Sequence, residues 1–160
     1  MKSFLKLWGP VALWMGLIFF LSTDLGSARH TFRFVEALPR RLDLEVTLIS
    51  AHQFNVLLRK TAHILEYAIL AFLMGQAAAE MNGWEGRERI WKTMAGVILL
   101  SVAFAASDEF HQSFVPSRDA CGRDVLIDGC GALIGVSLLW CWKRFGIPDE
   151  QVEKESTVSE

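Results

Sequence analysis

The chain has 160 residues, enough for one domain, and 52% of them are hydrophobic against 21% charged. A formal net charge of −2 leaves no basic surface for a polyanion, so nucleic acid is excluded as a partner. The three cysteines, Cys121, Cys130 and Cys141, lack CxxC spacing, argue against a disulfide framework and read as small packing residues.

The first apolar run is LWGPVALWMGLIFFLS, Leu7 to Ser22, preceded by Lys2 and Lys6. It reads as a retained membrane span; a signal peptide cleaved near Gly26 or Ala28 is the alternative. A long first loop follows, and its latter half, LEVTLISAHQFNVLLRK, has the apolar spacing of a short interfacial helix. The second run covers Thr61 to Ala79, and a glycine-containing hairpin, Glu80 to Arg89, leads to the third. That third run is Ile90 to Ala106, with Lys92 near its end where it can snorkel. The fourth is Val125 to Trp142, and from Pro148 the tail PDEQVEKESTVSE is polar, acidic and predicted to be disordered.

Each run approaches or meets the roughly 17–25 residues a helix needs to cross a bilayer. A soluble four-helix bundle would need a charged stripe along every helix, and the middle of the third run has none. Trp8, Trp91, Trp140 and Trp142 stand at the edges of runs, as in an interfacial belt. The predicted fold is all-α: an integral membrane bundle of four transmembrane helices over residues 1–147, with the tail at 148–160. Four spans put both termini on one side. The basic residues there lie tight against the spans in short segments, which predicts cytoplasmic termini.

This topology brings four stretches to the opposite face. Span one ends in Ser22, Thr23 and Asp24, span two opens with RKTAHILEY, span three ends in SDEFHQ, and span four opens with RDVLID. In span two, Lys60, His63 and Tyr67 share a helical face with Glu66 beside them, and Glu66 lies about 9 Å along the axis from Lys60. In span four, Asp124, Asp128, Gly131 and Gly135 form one stripe, and the GxxxG pair lets another helix approach closely. Asp128 is therefore expected to point into the bundle. Asp108 and Gln112 stand one turn apart. An aspartate at a span centre costs roughly 2.5–3.5 kcal/mol on insertion scales, so such groups pair, line a wet cavity or do chemistry. Pairing with Lys60, Arg118 and Arg123 still leaves Glu66, Asp108, Glu109, Asp124 and Asp128 in acidic excess. A proton, a metal ion, a cationic partner or a protonated His63 would offset it.

KTAHILEYAIL followed by SDEFHQSFVPSRDACGRDVLIDGCGALIG resembles the VanZ-like family of small integral membrane proteins. The resemblance rests on Lys60, His63, Glu66 and Tyr67, then Asp108, Glu109 and Gln112, then Arg118, Asp124 and Asp128 ahead of the glycine pair. One departure is PSR at Pro116 to Arg118, where family loops commonly read PGR. The resemblance implies a cell-envelope role, since the founding member is associated with low-level teicoplanin resistance. An older label of some relatives as phosphotransbutyrylase finds no support here. Neither a phosphate-cradling glycine loop nor an acyl-transfer nucleophile is visible.

Three functions compete. The first is recognition of a lipid head group or lipid-linked envelope precursor at the outer face, with Lys60 and Arg118 on phosphate and the carboxylates and Gln112 orienting them. The second is an enzyme with His63 as general base, oriented by Glu66 or Asp108. A divalent cation such as Mg2+ on Asp108, Glu109, Asp124 and Asp128 is a variant of it, though no cofactor or recognised metal spacing is expected. The third is a proton-coupled carrier using Glu66 and Asp128, for which a homo-oligomer would be needed to make room. Against all three stands purely structural pairing.

Overall fold

The computed structural model describes residues 4–23, 48–115 and 121–145, without the side chains of 48–52 and 55. Four helices are present among them and no strand: α1 (Phe4–Leu21), α2 (Leu48–Asn82), α3 (Arg87–Gln112) and α4 (Gly122–Phe145). Asp24, the Gly26–Ala28 segment, Arg118 and the tail at 148–160 lie outside the described residues.

All four helices are long and apolar enough to cross a membrane, over Phe4–Leu21, Val56–Asn82, Arg87–Gln112 and Gly122–Phe145. Exposure pattern separates this bundle from a soluble one. Leu13, Leu99 and Leu126 are 78%, 71% and 72% exposed, side chains that water would penalise and lipid accommodates.

The first loop's expected interfacial helix is corrected where it is described. From Leu48 that stretch is continuous with the second span, in a single 35-residue helix. The physical reason is local: no glycine or proline stands between Leu48 and Gly75 to end it. Likewise α3 starts before Ile90, because the Glu88–Lys92 pair (2.7 Å) supports its first turn. Between α2 and α3 the chain reverses through Gly83 and Gly86, at φ of 78° and 79°, which side chains rarely adopt.

The second helix is the central element, the most buried of the four, with its largest interface against α4. Tyr67, Leu70, Ala71, Met74 and Ala77 give it an apolar stripe against Ala132 and Val136 of α4, Val97 and Ala105 of α3, and Val11 and Ile18 of α1. Small residues set the close approach of α2 and α4, where lipid offers no hydrophobic driving force. A Cβ on Gly131 would stand 2.5 Å from the carbonyl oxygen of Ile64, and one on Gly135 would overlap the carbonyl of Ala68. The cysteines differ from expectation: all three are free and exposed rather than packed inside. Residues 130 and 141 occupy the outward side of α4, which a sequence position inside an apolar run does not distinguish from its inward side.

Candidate functional site

At the end of the bundle where α1 and α3 finish and α4 begins, two polar groups form. The first joins α2 to α4. His63 Nδ1 lies 3.1 Å from Asp128 Oδ1, with both side chains buried. One turn toward the surface, Lys60 Nζ lies 3.3 Å from Asp124 Oδ1. The spacings match: 60 to 63 on one helix and 124 to 128 on the other each advance about one turn, so the two pairs stack. The glycine contact at Gly131, one turn below Asp128, brings these helices near enough to bond.

The second group joins α1 to α3. Ser22 Oγ donates to Asp108 Oδ2 (2.8 Å), and Gln112 Nε2 donates to the same oxygen (2.9 Å) and lies 3.3 Å from Ser22 Oγ. Asp108 and Gln112 are each 1% exposed. The Phe19 ring lies 4.3 Å from that of His111, tilted by 34°, and 6.4 Å from that of Phe104, so the end of α1 is held to α3 by ring contacts too. Trp14 Nε1 donates to the backbone carbonyl of Glu66 (2.9 Å) and ties α1 to α2. Glu109 accepts a hydrogen bond from the backbone N–H of Cys121, which fixes the start of α4 against the end of α3.

Tyr67 stands between the groups. It is fully buried, and Asp108, Asp128, Glu66 and Glu109 all act on it electrostatically. Its hydroxyl, Asp108 Oδ1, His111 Nδ1 and Arg59 Nε are buried with no hydrogen-bond partner among the described residues. Such atoms are rare in folded proteins, because each costs about 1–3 kcal/mol when left unpaired.

A cavity of about 70 Å3 opens beside the first group, lined by Val56, Arg59, Lys60, His63 and Asp124. Two cations, an imidazole and one carboxylate line it, a balance that suits an anion. No three His, Cys, Asp or Glu among the described residues come together in a way that would hold a metal ion.

Set against the sequence expectations, the structure brings Lys60, His63, Asp124 and Asp128 together in one group and Asp108 and Gln112 in the other. Tyr67 joins them at the centre, Glu109 is turned to the α4 backbone, and Glu66 is half-buried within electrostatic reach of His63. Arg123 is exposed. One assignment changes: the carboxylate bonded to His63 is Asp128 on α4, not Glu66 or Asp108. Spacing along one chain cannot show which helix faces His63. Sequence reasoning missed Arg59 as a site residue, although it lies four positions before His63 and therefore on the same side of α2. It also gave Ser22 no partner, and Trp14 no role at all.

No curated protein and no solved structure matches the chain. The VanZ/LLP1 family profile matches residues 7–143, which takes in nearly all of the four helices and both polar groups. The chain therefore belongs to the VanZ/LLP1 family and is a multi-pass membrane protein.

Proposed function

We propose that the protein recognises the anionic head group of a lipid or lipid-linked cell-envelope component at the polar end of the bundle. The observation that carries this is the cavity lined by Arg59, Lys60, His63 and Asp124 at the mouth of the buried pairs. Arg59 offers a planar fork and Lys60 a point charge, the two recurring ways of holding phosphate. The buried atoms on Tyr67 and Asp108 leave hydrogen-bonding capacity deeper in the same end. With the termini cytoplasmic, this mouth faces outward, where an envelope precursor or a lipoglycopeptide such as teicoplanin would meet it.

A second reading rests on the His63–Asp128 pair. With Nδ1 donating its proton to the carboxylate, Nε2 is left as a base, the arrangement that general-base catalysis uses. The two readings separate in one experiment on purified protein in neutral detergent, with farnesyl phosphate as probe and farnesol as neutral control. Recognition gives saturable binding of the phosphate that weakens in Lys60→Gln and Arg59→Gln, with the probe recovered intact. Catalysis gives phosphate release that stops in His63→Ala. Equal binding of farnesol and farnesyl phosphate would remove the first reading.

A further inference from the structure

The opposite end of the bundle carries a second cavity, larger than the first. Its volume is about 610 Å3, within the roughly 300–1,000 Å3 of small-molecule sites, and its walls come from three helices. Trp8 of α1 forms one side, Met74, Ala78 and Asn82 of α2 the floor, and residues of α3 from Arg89 to Leu100 the other side. Its origin lies in how α1 meets α3. Ser22 and Phe19 clasp Asp108, Gln112 and His111 at the polar end. At the other end this cavity lies between Trp8 and Gly96.

Polarity in the cavity is graded along the helix axis. Arg89, Lys92 and Thr93 stand in the first turns of α3, whereas Gly96, Val97 and Leu100 lie deeper. From Lys92 to Leu100 is about 12 Å of helix, and the α2 floor from Asn82 back to Met74 covers the same about 12 Å. The depth is thus a slot parallel to the membrane normal, cationic at the head-group level and apolar below it. Around the mouth, Arg87, Arg89 and Lys92 outnumber Glu85 and Glu88. Lys92 pairs with Glu88, but both are exposed, at 75% and 82%, so the pair yields readily to another anion. Arg89 spends one N–H on the carbonyl of Asn82 and keeps its others.

Gly96 supplies an independent observation. A Cβ there would meet nothing within 4 Å, so no neighbouring helix requires the glycine. Its absent side chain leaves space that belongs to the cavity. This sets it apart from Gly131 and Gly135, whose neighbours are backbone.

We infer that this slot is a binding site for an anionic phospholipid, with the phosphate on Arg89 and Lys92 and an acyl chain lying along Gly96, Val97 and Leu100 beside Trp8. It is separate from the polar mouth at the other end, and neither site requires the other.

The test uses the full chain purified in neutral detergent, with native mass spectrometry counting bound dioleoyl phosphatidylglycerol against dioleoyl phosphatidylcholine. The parent is expected to retain phosphatidylglycerol in preference. Gly96→Trp, which fills the slot, is expected to lower the retained phosphatidylglycerol by one molecule per chain, and Lys92→Gln to weaken retention in the slot about fivefold, the worth of one surface cation. Arg59→Gln, which weakens the proposed mouth at the far end, is expected to leave the lipid in the slot in place, which separates the two sites. Thermal unfolding checks that each variant is folded; Lys92→Gln changes only an exposed residue and keeps the test valid if Gly96→Trp does not fold. Equal retention of the two lipids by the parent would overturn the inference. So would unchanged retention in folded Gly96→Trp or in Lys92→Gln, or full displacement of the lipid by millimolar inorganic phosphate, which would reveal an anion site without a chain slot.

Discussion

Gly131→Ala tests whether close approach of α2 and α4 builds the polar site. The added methyl would stand 2.5 Å from the carbonyl oxygen of Ile64 and 3.1 Å from its Cα, where ordinary contact begins near 3.4 Å. The neighbour is backbone, so the helices themselves must part, by about 0.9 Å at this point. Overfilling a packed interface costs about 1–3 kcal/mol, while alanine regains about 1 kcal/mol of helix propensity over glycine. Asp128 lies one turn away, and the same displacement would stretch its 3.1 Å contact with His63 to about 4 Å, beyond a hydrogen bond. Losing that buried bond adds about 1–3 kcal/mol. The expected total is a loss of about 1–5 kcal/mol, read by equilibrium unfolding in mixed micelles with tryptophan fluorescence as the signal. Two glycines serve as controls. A Cβ at Gly129 meets Val102 Cγ2 at an ordinary 3.5 Å, and one at Gly96 meets nothing. Alanine at either is expected to stabilise by about 0.5–1 kcal/mol. A Gly131→Ala protein within about 0.5 kcal/mol of the parent, or a Gly129→Ala protein that loses as much as Gly131→Ala, would show that the close approach of α2 and α4 does not build the polar site.

Asp128→Ala removes one partner of a buried pair and is expected to cost about 3–5 kcal/mol, and the double change with His63→Ala should cost less than the sum in a mutant cycle. Ser22→Ala removes a hydroxyl from a buried carboxylate, an expected loss of about 1.5–3 kcal/mol, and should also loosen α1, seen as faster proteolysis near residue 22. Lys60→Gln is expected to change stability by no more than about 1 kcal/mol, since its side chain is 45% exposed, while weakening farnesyl phosphate binding. Chelator or Mg2+ is expected to leave the melting temperature unchanged, because no metal-holding group of three side chains exists among the described residues.

Much of this fold is written in hydropathy. Each span is long enough to be read directly, and an even count places the ionisable residues of α1, α2, α3 and α4 at one face. The stripe of Asp124, Asp128, Gly131 and Gly135 is also legible, because a helix repeats every 3.6 residues whatever surrounds it. Partnerships between helices are another matter. His63 has Glu66 three residues away and Asp108 on another span as equally plausible partners by spacing, and only the packing of α2 on α4 selects Asp128. The same limit hid the clasp of Ser22 on Asp108 and Gln112. Arg59 was legible but overshadowed by its neighbour Lys60, since two adjacent cations at a span end look like ordinary flanking charge. Gly96 gave no signal at all, because an isolated glycine in a span is silent about whether a helix or a cavity lies beside it.

The decisive measurement is the dissociation constant of farnesyl phosphate for the parent, Arg59→Gln, Lys60→Gln and Gly96→Trp in one neutral detergent. Each lost cation is expected to weaken binding about fivefold, farnesol to compete poorly, and Gly96→Trp to bind like the parent. Identical constants for the parent and the two cation variants, or loss of binding in Gly96→Trp alone, would show that the polar mouth is not the anion site.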